Sequence, residues 1–194
     1  MRNTAINLSS MSFLLADANP FSLSTAHSIL RGFGAVKVTE VRDSHSALEV
    51  LVEHRPDMML CDSNLPPIGG LSFIKFIRGQ ATNPFRAVPI MATTSDTRVS
   101  NIKKTRDSGA NMVIAKPMSP ATLHDRLIWV VFNPRKFVDT QTYTGSDRRT
   151  GGENPPEGMQ DRRADGIAQA NAAEVSEPAL SQNEIDNLFN TTRG

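Results

Sequence analysis

The sequence is poor in cysteine, in net charge and in long apolar runs, and each shortage excludes a class of protein. A single cysteine, Cys61, excludes an intrachain disulfide and fits a reducing cytoplasm. A formal net charge of +1 excludes a polycationic protein, so a nucleic acid polymer is not an expected partner. No apolar run approaches the ~18 residues of a membrane span, and the opening MRNTAINLSS lacks the apolar core of a signal peptide. We expect a soluble, cytoplasmic protein.

The apolar residues that are present lie mainly in the first two thirds of the 194-residue chain. There, short apolar runs alternate with amphipathic stretches of helical spacing. Strands that are apolar throughout and alternate with helices favour a parallel sheet covered on both faces. The pattern predicts an α/β fold over residues 1–132, a flavodoxin-like doubly wound sheet of five parallel strands, followed by a largely disordered C-terminal tail.

Polar side chains follow three of the predicted strands. Asp17, Asp62 and Thr94 come directly after apolar runs, at the carboxyl ends of the first, third and fourth strands. In a doubly wound sheet the functional site lies outside these ends. We therefore expect the three residues to lie close together.

These positions resemble the landmarks of the response-regulator receiver family, whose members are CheY-like. The resemblance implies that Asp62 is the phosphoacceptor, that Lys116 pairs with the phosphoryl group and that Thr94 donates its hydroxyl. It further implies a Mg²⁺ site formed by Asp17, Asp62 and the carbonyl of Asn64, because a divalent cation neutralises charge on the phosphoryl oxygens, and a cis Lys116-Pro117 peptide. The landmarks are Phe13-Leu14-Leu15-Ala16-Asp17, Asp62, Asn64-Leu65-Pro66, Gly70, Thr94-Ser95, Gly109-Ala110 and Lys116-Pro117.

Two positions depart from the family pattern. Ala18 stands where the family usually has a second acidic metal ligand, so we expect weakened Mg²⁺ binding. Val113 stands where a Tyr or Phe often moves with the threonine, so the switch is incomplete. Two interpretations stay open: a site that can still be phosphorylated at Asp62, and a degenerate receiver kept as a docking scaffold.

The tail contains Asp-Arg-Arg twice, at a spacing of 14 residues. Arginine reads guanine with two parallel hydrogen bonds and stacks on bases, and Asp accepts from guanine donors, so the pair suits a ligand with two guanines and two phosphates. An inert linker and a site for other nucleotides or anions are the alternatives. The arrangement resembles the Cle class of CheY-like proteins, whose arginine-rich extension binds cyclic di-GMP. By this resemblance residues 133–166 bind cyclic di-GMP through Tyr143, Asp147, Arg148, Arg149, Asp161, Arg162 and Arg163.

A linker over residues 167–179 leads to a short amphipathic peptide over residues 180–190. Ser181 and Glu184 have the spacing of a capping box, and Leu180 can pack against Ile185. The run Leu180–Phe189 resembles the amino-terminal peptide of the flagellar switch protein FliM, which receives CheY. The peptide would dock on its own receiver or on another CheY-like protein; an ordinary frayed end is the third alternative.

These features predict a non-enzymatic adaptor, since no cyclic di-GMP synthase or hydrolase signature is present. It would respond to cyclic di-GMP and engage the flagellar motor switch, tuning motility and surface attachment, with recruitment to the flagellar pole. The alternative is a single-domain response regulator driven by phosphorylation from a histidine kinase or phosphotransfer protein.

Overall fold

The computed structural model describes residues 8–79, 82–132, 137–139, 144–146 and 179–190. Within these ranges, no helix is long and apolar enough to cross a membrane. The binding residues expected in the tail, Tyr143, Asp147–Arg149 and Asp161–Arg163, lie outside the described residues.

The architecture is a five-stranded parallel sheet with helices on both faces, which confirms the predicted fold class. The strand order is β2-β1-β3-β4-β5, with every neighbouring pair parallel. The strands are β1 (Ser12–Ala16), β2 (Lys37–Val41), β3 (Met58–Asp62), β4 (Ile90–Thr94) and β5 (Met112–Ala115). A short 3₁₀ turn, Leu8–Ser10, precedes β1.

The helices follow the strands in regular alternation and begin at residues that suit helix starts. Asn19 caps α1 by accepting from Phe21 N–H, and Asp43 caps α2 by accepting from His45 and Ser46 N–H. The helices are α1 (Pro20–Gly32), α2 (Ser44–His54), α3 (Gly70–Gly79), α4 (Val99–Asp107), α5 (Pro120–Phe132) and α6 (Gln182–Asn190).

The core consists of one apolar cluster on each face of the sheet, because successive strand residues point to opposite faces. Leu14 and Met59 belong to the cluster that contains residues of α2, α3 and α4. Leu15 and Leu60 belong to the cluster that contains residues of α1 and α5. Burial on both faces explains why β3 and β4 have no exposed residue.

The second strand departs from the expectation that all strands are apolar throughout. In β2, Lys37, Thr39 and Glu40 are exposed and only Val41 is buried. This strand lies at an edge of the sheet, where one side of the ladder is open. Polar side chains on an edge strand also discourage pairing with other chains.

A β-hairpin that the sequence pattern does not predict follows the receiver. Strands β6 (Phe137–Asp139) and β7 (Thr144–Ser146) pair antiparallel. The ring of Phe137 lies under two guanidinium groups, 4.7 Å from that of Arg86 and 5.9 Å from that of Arg78. The hairpin therefore fixes the start of the tail against the end of α3.

Arg78, at the end of α3, is almost fully buried and joins three parts of the chain. Its guanidinium donates to the carbonyl of Gly109 at 3.0 Å, to that of Arg86 at 2.5 Å and to Asn111 Oδ1 at 3.0 Å. Asn111 in turn accepts from Ile90 N–H at 2.8 Å. These bonds connect the end of α3 to the residues at the start of β4 and β5.

We expect Arg78→Ala to lower the free energy of unfolding by about 3 kcal/mol, because three acceptors, two of them in buried hydrogen bonds, lose a charged donor. Lys75→Ala is the matched control on the same helix, since Lys75 is exposed, and should change stability by about 0.5 kcal/mol or less. Urea unfolding followed by circular dichroism measures both. Equal effects of the two substitutions would contradict the structural role of Arg78.

Candidate phosphoacceptor site

Two carboxylates and one lysine meet at the carboxyl end of the sheet. Asp17 follows β1, Asp62 ends β3 and Lys116 follows β5. Lys116 Nζ donates to Asp17 Oδ2 at 2.5 Å and to Asp62 Oδ1 at 2.6 Å. The structure thus brings together three of the residues that the sequence singled out.

Lys116 holds its charge in this setting. Burial disfavours the ammonium form, but the hydrogen bonds and charges of Asp17 and Asp62 outweigh it, so the pKa of Lys116 is raised above its usual value. The ammonium therefore stands as a permanent counter-charge between two carboxylates that would otherwise repel each other. The Lys116-Pro117 peptide is cis, as the sequence resemblance implied.

The backbone around Asp62 is closely packed. Asp62 Oδ1 accepts from Lys116, whereas its other carboxylate oxygen, Oδ2, accepts from a backbone N–H. Asn64 N–H donates to Asp62 Oδ2 at 3.0 Å. A Cβ at Gly70 would lie 1.8 Å from the carbonyl oxygen of Asp62, so only glycine fits where α3 begins. Gly70 thereby lets α3 begin directly beside the candidate phosphoacceptor.

Thr94 is fully buried at the end of β4, and its hydroxyl is the centre of a small network. Its Oγ1 accepts from Asp96 N–H at 3.1 Å, from Asn101 Nδ2 at 3.2 Å and from Ser63 Oγ at 3.1 Å. Ser63 is the residue after Asp62. The network therefore connects the candidate phosphoacceptor to the loop before α4.

Ser63 and Asn101 were not predicted from the sequence. Serine after the third strand carries no distinctive spacing. Asn101 lies in the first turn of a polar helix, where an exposed asparagine is the ordinary expectation. Only the fold shows that both side chains reach Thr94.

The acidic residues present are few for a metal site. In the described ranges, no group of three or more His, Cys, Asp or Glu side chains could hold a metal ion. Ala18 is exposed, beside Asp17, so a third carboxylate is missing there. Two carboxylates still suit Mg²⁺, which is often bound through one or two carboxylates and keeps several waters. The residues present therefore fit Mg²⁺ with a reduced ligand set.

Cys61 is fully buried in the strand that carries Asp62. Burial, with the nearby charges of Asp62 and Asp17, raises the pKa of the Cys61 thiol far above its usual value. The thiol is therefore held protonated, and it belongs to the apolar core rather than to the site.

Comparison with known proteins identifies the family of this fold. The family described as the response regulator receiver domain matches residues 13–128. The autoinducer 2 sensor kinase/phosphatase LuxQ of Vibrio vulnificus is 38% identical over 93 residues, which are 48% of this chain and 10% of LuxQ. The chain thus spans about a tenth of the length of that relative.

Two solved structures share the fold at appreciable identity. The chemotaxis response regulator CheY4 of Vibrio cholerae is 26% identical with a TM-score of 0.56, over 62% of this chain and 99% of CheY4. The receiver domain of the sensor histidine kinase PA1611 of Pseudomonas aeruginosa is 32% identical with a TM-score of 0.54, over 61% and 94% of the two chains. That receiver was solved with a magnesium ion in its active site cleft. With its aspartates, threonine and lysine placed as described, this chain belongs to the response regulator receiver domain family.

Proposed function

We propose that the protein is a non-enzymatic, CheY-like signalling adaptor that binds cyclic di-GMP and engages the flagellar motor switch. The observation that carries the proposal is the pair of Asp-Arg-Arg motifs that begins directly after a hairpin docked on the receiver. In this view the receiver is the platform and the tail is the sensor. Binding of the nucleotide would tune motility and surface attachment.

The position of the hairpin supports a ligand site next to the receiver. Asp147 follows the last residue of β7, and β7 contacts α3. The first Asp-Arg-Arg motif therefore follows in sequence a hairpin that contacts the receiver, and Phe137 anchors that hairpin by its contacts with Arg78 and Arg86. A ligand segment that begins at a fixed point loses less conformational entropy on binding than one that is free at both ends.

The chemistry of the tail suits a dinucleotide better than a polymer. Residues 134–166 contain six basic and six acidic side chains, so the segment has no net positive charge. Paired arginines with an adjacent aspartate would bind guanine edges and phosphates together. Tyr143 and the two motifs would supply the contacts. A nucleic acid polymer would instead favour an excess of Lys and Arg.

The relatives support a role in chemotaxis and cell-pole signalling. CheY4 is a chemotaxis response regulator, and DivK of Brucella anthropi, 26% identical over 108 residues, is a polar-differentiation response regulator. We accordingly place the protein in the cytoplasm with recruitment to the flagellar pole. A motor switch protein would be the partner, and the terminal run Leu180–Phe189 would be a second docking element.

We expect Arg148→Ala combined with Arg162→Ala to weaken cyclic di-GMP binding by about a hundredfold or more, since each arginine supplies a bidentate contact. Isothermal titration calorimetry measures the affinity, and amide spectra check that the receiver stays folded. Arg42→Ala combined with Lys104→Ala removes the same charge from exposed positions of the receiver and should leave the affinity unchanged. Unchanged affinity in the tail variant would exclude the proposed site.

A second function, regulation by phosphorylation of Asp62, is favoured by the site geometry. The contact of Lys116 with Asp62 supports this function, and a histidine kinase or phosphotransfer protein would be the donor. Asp17, Asp62 and the carbonyl of Asn64 would hold Mg²⁺, which supplies charge neutralisation at the phosphoryl oxygens. Lys116 would then pair with the phosphoryl group, and Thr94 would donate its hydroxyl to it.

The missing carboxylate at position 18 should limit this second function. We expect Ala18→Asp to raise the Mg²⁺ affinity roughly tenfold, because it adds one charge to the ligand set. Ala18→Asn, which adds a neutral side chain of the same shape, should change it by about twofold or less. Amide shifts of residues around Asp62 during a MgCl₂ titration report the affinity. Equal affinities in the two variants would show that charge at position 18 does not limit metal binding.

A further inference from the structure

The outer edge of β5 is covered by a side chain of the terminal helix α6. Ala115 N–H donates to Gln182 Oε1 at 2.7 Å, and Gln182 Nε2 donates to the carbonyl of Val113 at 3.1 Å. These are the two backbone groups that a neighbouring parallel strand would bond around Ile114. The side-chain amide, with one acceptor and two donors, thus substitutes for a strand at the sheet edge.

Apolar contacts accompany these bonds. Ile185 is 0% exposed and belongs to the same buried cluster as Val113 and Ile102, and Leu180 packs against that cluster. Val113, which departs from the aromatic pattern of the family, is therefore part of the apolar surface on which α6 packs. The side chains of Leu188 and Phe189 lie outside the described residues.

A charge pair and a backbone bridge complete the docking. Asp186 forms an ion pair with Arg126 of α5, and both side chains are largely buried. Leu180 N–H donates to the carbonyl of Thr97 at 2.8 Å, and Ala179 forms an antiparallel bridge with Arg98. Polar, apolar and charged contacts thus converge on one face, formed by α4, β5 and α5, which we call the α4–β5–α5 face.

The residues at the start of α6 form a capping box. Ser181 N–H and Oγ donate to Glu184 Oε2 at 2.8 and 2.7 Å, and Glu184 N–H donates to Ser181 Oγ at 3.4 Å. This is a capping box, as the sequence predicted. A helix of nine residues is nevertheless marginal by itself in water, so its stability depends on the surface beneath it.

We propose that α6 is an in-chain ligand that masks the α4–β5–α5 face through Gln182, Ile185 and Asp186. Any partner that docks on this face must first displace α6. The inference goes beyond the proposed response to cyclic di-GMP and does not depend on it. Because α6 belongs to the same chain as the face, its docking is intramolecular and corresponds to an effective concentration on the order of millimolar. Masking should therefore be substantial.

The test uses a fluorescent synthetic peptide with the sequence of residues 178–192, added to the full-length chain without nucleotide. Fluorescence anisotropy should show weak binding to the wild-type chain, because α6 competes. Gln182→Ala in the chain removes two hydrogen bonds of the competitor and should tighten apparent peptide binding roughly tenfold. Asn183→Ala is the matched control on the same helix, since Asn183 is exposed, and should leave peptide binding as in the wild type.

The contact with Arg126 is tested by a double-mutant cycle in a chain that carries both Gln182→Ala and Asp186→Ala, so that its own α6 no longer competes through Arg126. Arg126→Ala in the chain and Asp186→Ala in the peptide should each weaken binding roughly tenfold. Because both remove the same contact, the second change should add about twofold or less once the first is made. Fully additive losses would overturn the assignment of this pair.

Two other results would overturn the proposal. Equal peptide affinity for the wild-type, Gln182→Ala and Asn183→Ala chains would show that α6 does not mask the face. Concentration-dependent dimers in sedimentation that disappear with Gln182→Ala would show that α6 docks on a second copy. Slow hydrogen exchange of the Gln182 side-chain amide in the wild-type chain supports docking without any substitution, and fast exchange contradicts it.

Discussion

The contact of Lys116 with Asp17 and Asp62 is the constraint on which the receiver depends. A parallel sheet gathers the carboxyl ends of its strands at one edge, and here two of those ends carry carboxylates. Two like charges in a largely buried cleft would repel strongly without a cation between them. Lys116 supplies that cation through contacts of 2.5 and 2.6 Å. The fifth strand is therefore needed for the site as well as for the sheet.

The loss of an acidic residue at position 18 changes the balance of this cleft. With three carboxylates, one lysine would leave a net negative cleft that attracts a divalent cation. With two, Lys116 already neutralises half of the charge, and the demand for metal is lower. A receiver of this kind retains its fold and the candidate phosphoacceptor Asp62, and we expect it to depend less on phosphorylation. Control can then pass to other parts of the chain, such as the tail.

The sequence predicts the central fold well because buried parallel strands leave a strong signal. Met58–Asp62 and Ile90–Thr94 are largely apolar runs that end in the informative polar residues Asp62 and Thr94, and the helices between the strands show apolar residues at helical spacing. The polar edge strand β2 departs from that signal, since its burial is decided by its place in the sheet. The hairpin was missed because strands of three residues are too short to show an alternating pattern, and it is held by Arg86 and Arg78 from elsewhere in the chain.

The role of Gln182 could not be predicted for a related reason. A glutamine in the first turn of an amphipathic helix is ordinarily a solvated residue. Gln182 instead bonds the open edge of β5 at Ala115 and Val113, which lie 67 and 69 residues away in sequence. The capping box and the apolar face were visible locally, so the helix was predicted but its docking partner stayed open. Local sequence patterns therefore predict the helix, whereas the open edge of β5 determines where that helix docks.

The docking of α6 also brings this helix close to the candidate phosphoacceptor site. Ala115, which donates to Gln182, directly precedes Lys116, and Thr97, which accepts from Leu180, lies in the loop that the Thr94 hydroxyl holds through Asp96. A change in the bonding of Lys116 or Thr94 would therefore reach the residues that hold α6 through one or two peptide units. Because any such coupling is reciprocal, a partner that displaces α6 would in turn alter the surroundings of Asp62. The terminal helix and the acidic cleft are thus best understood as two ends of one structural unit formed by β4, β5 and the loop after β4.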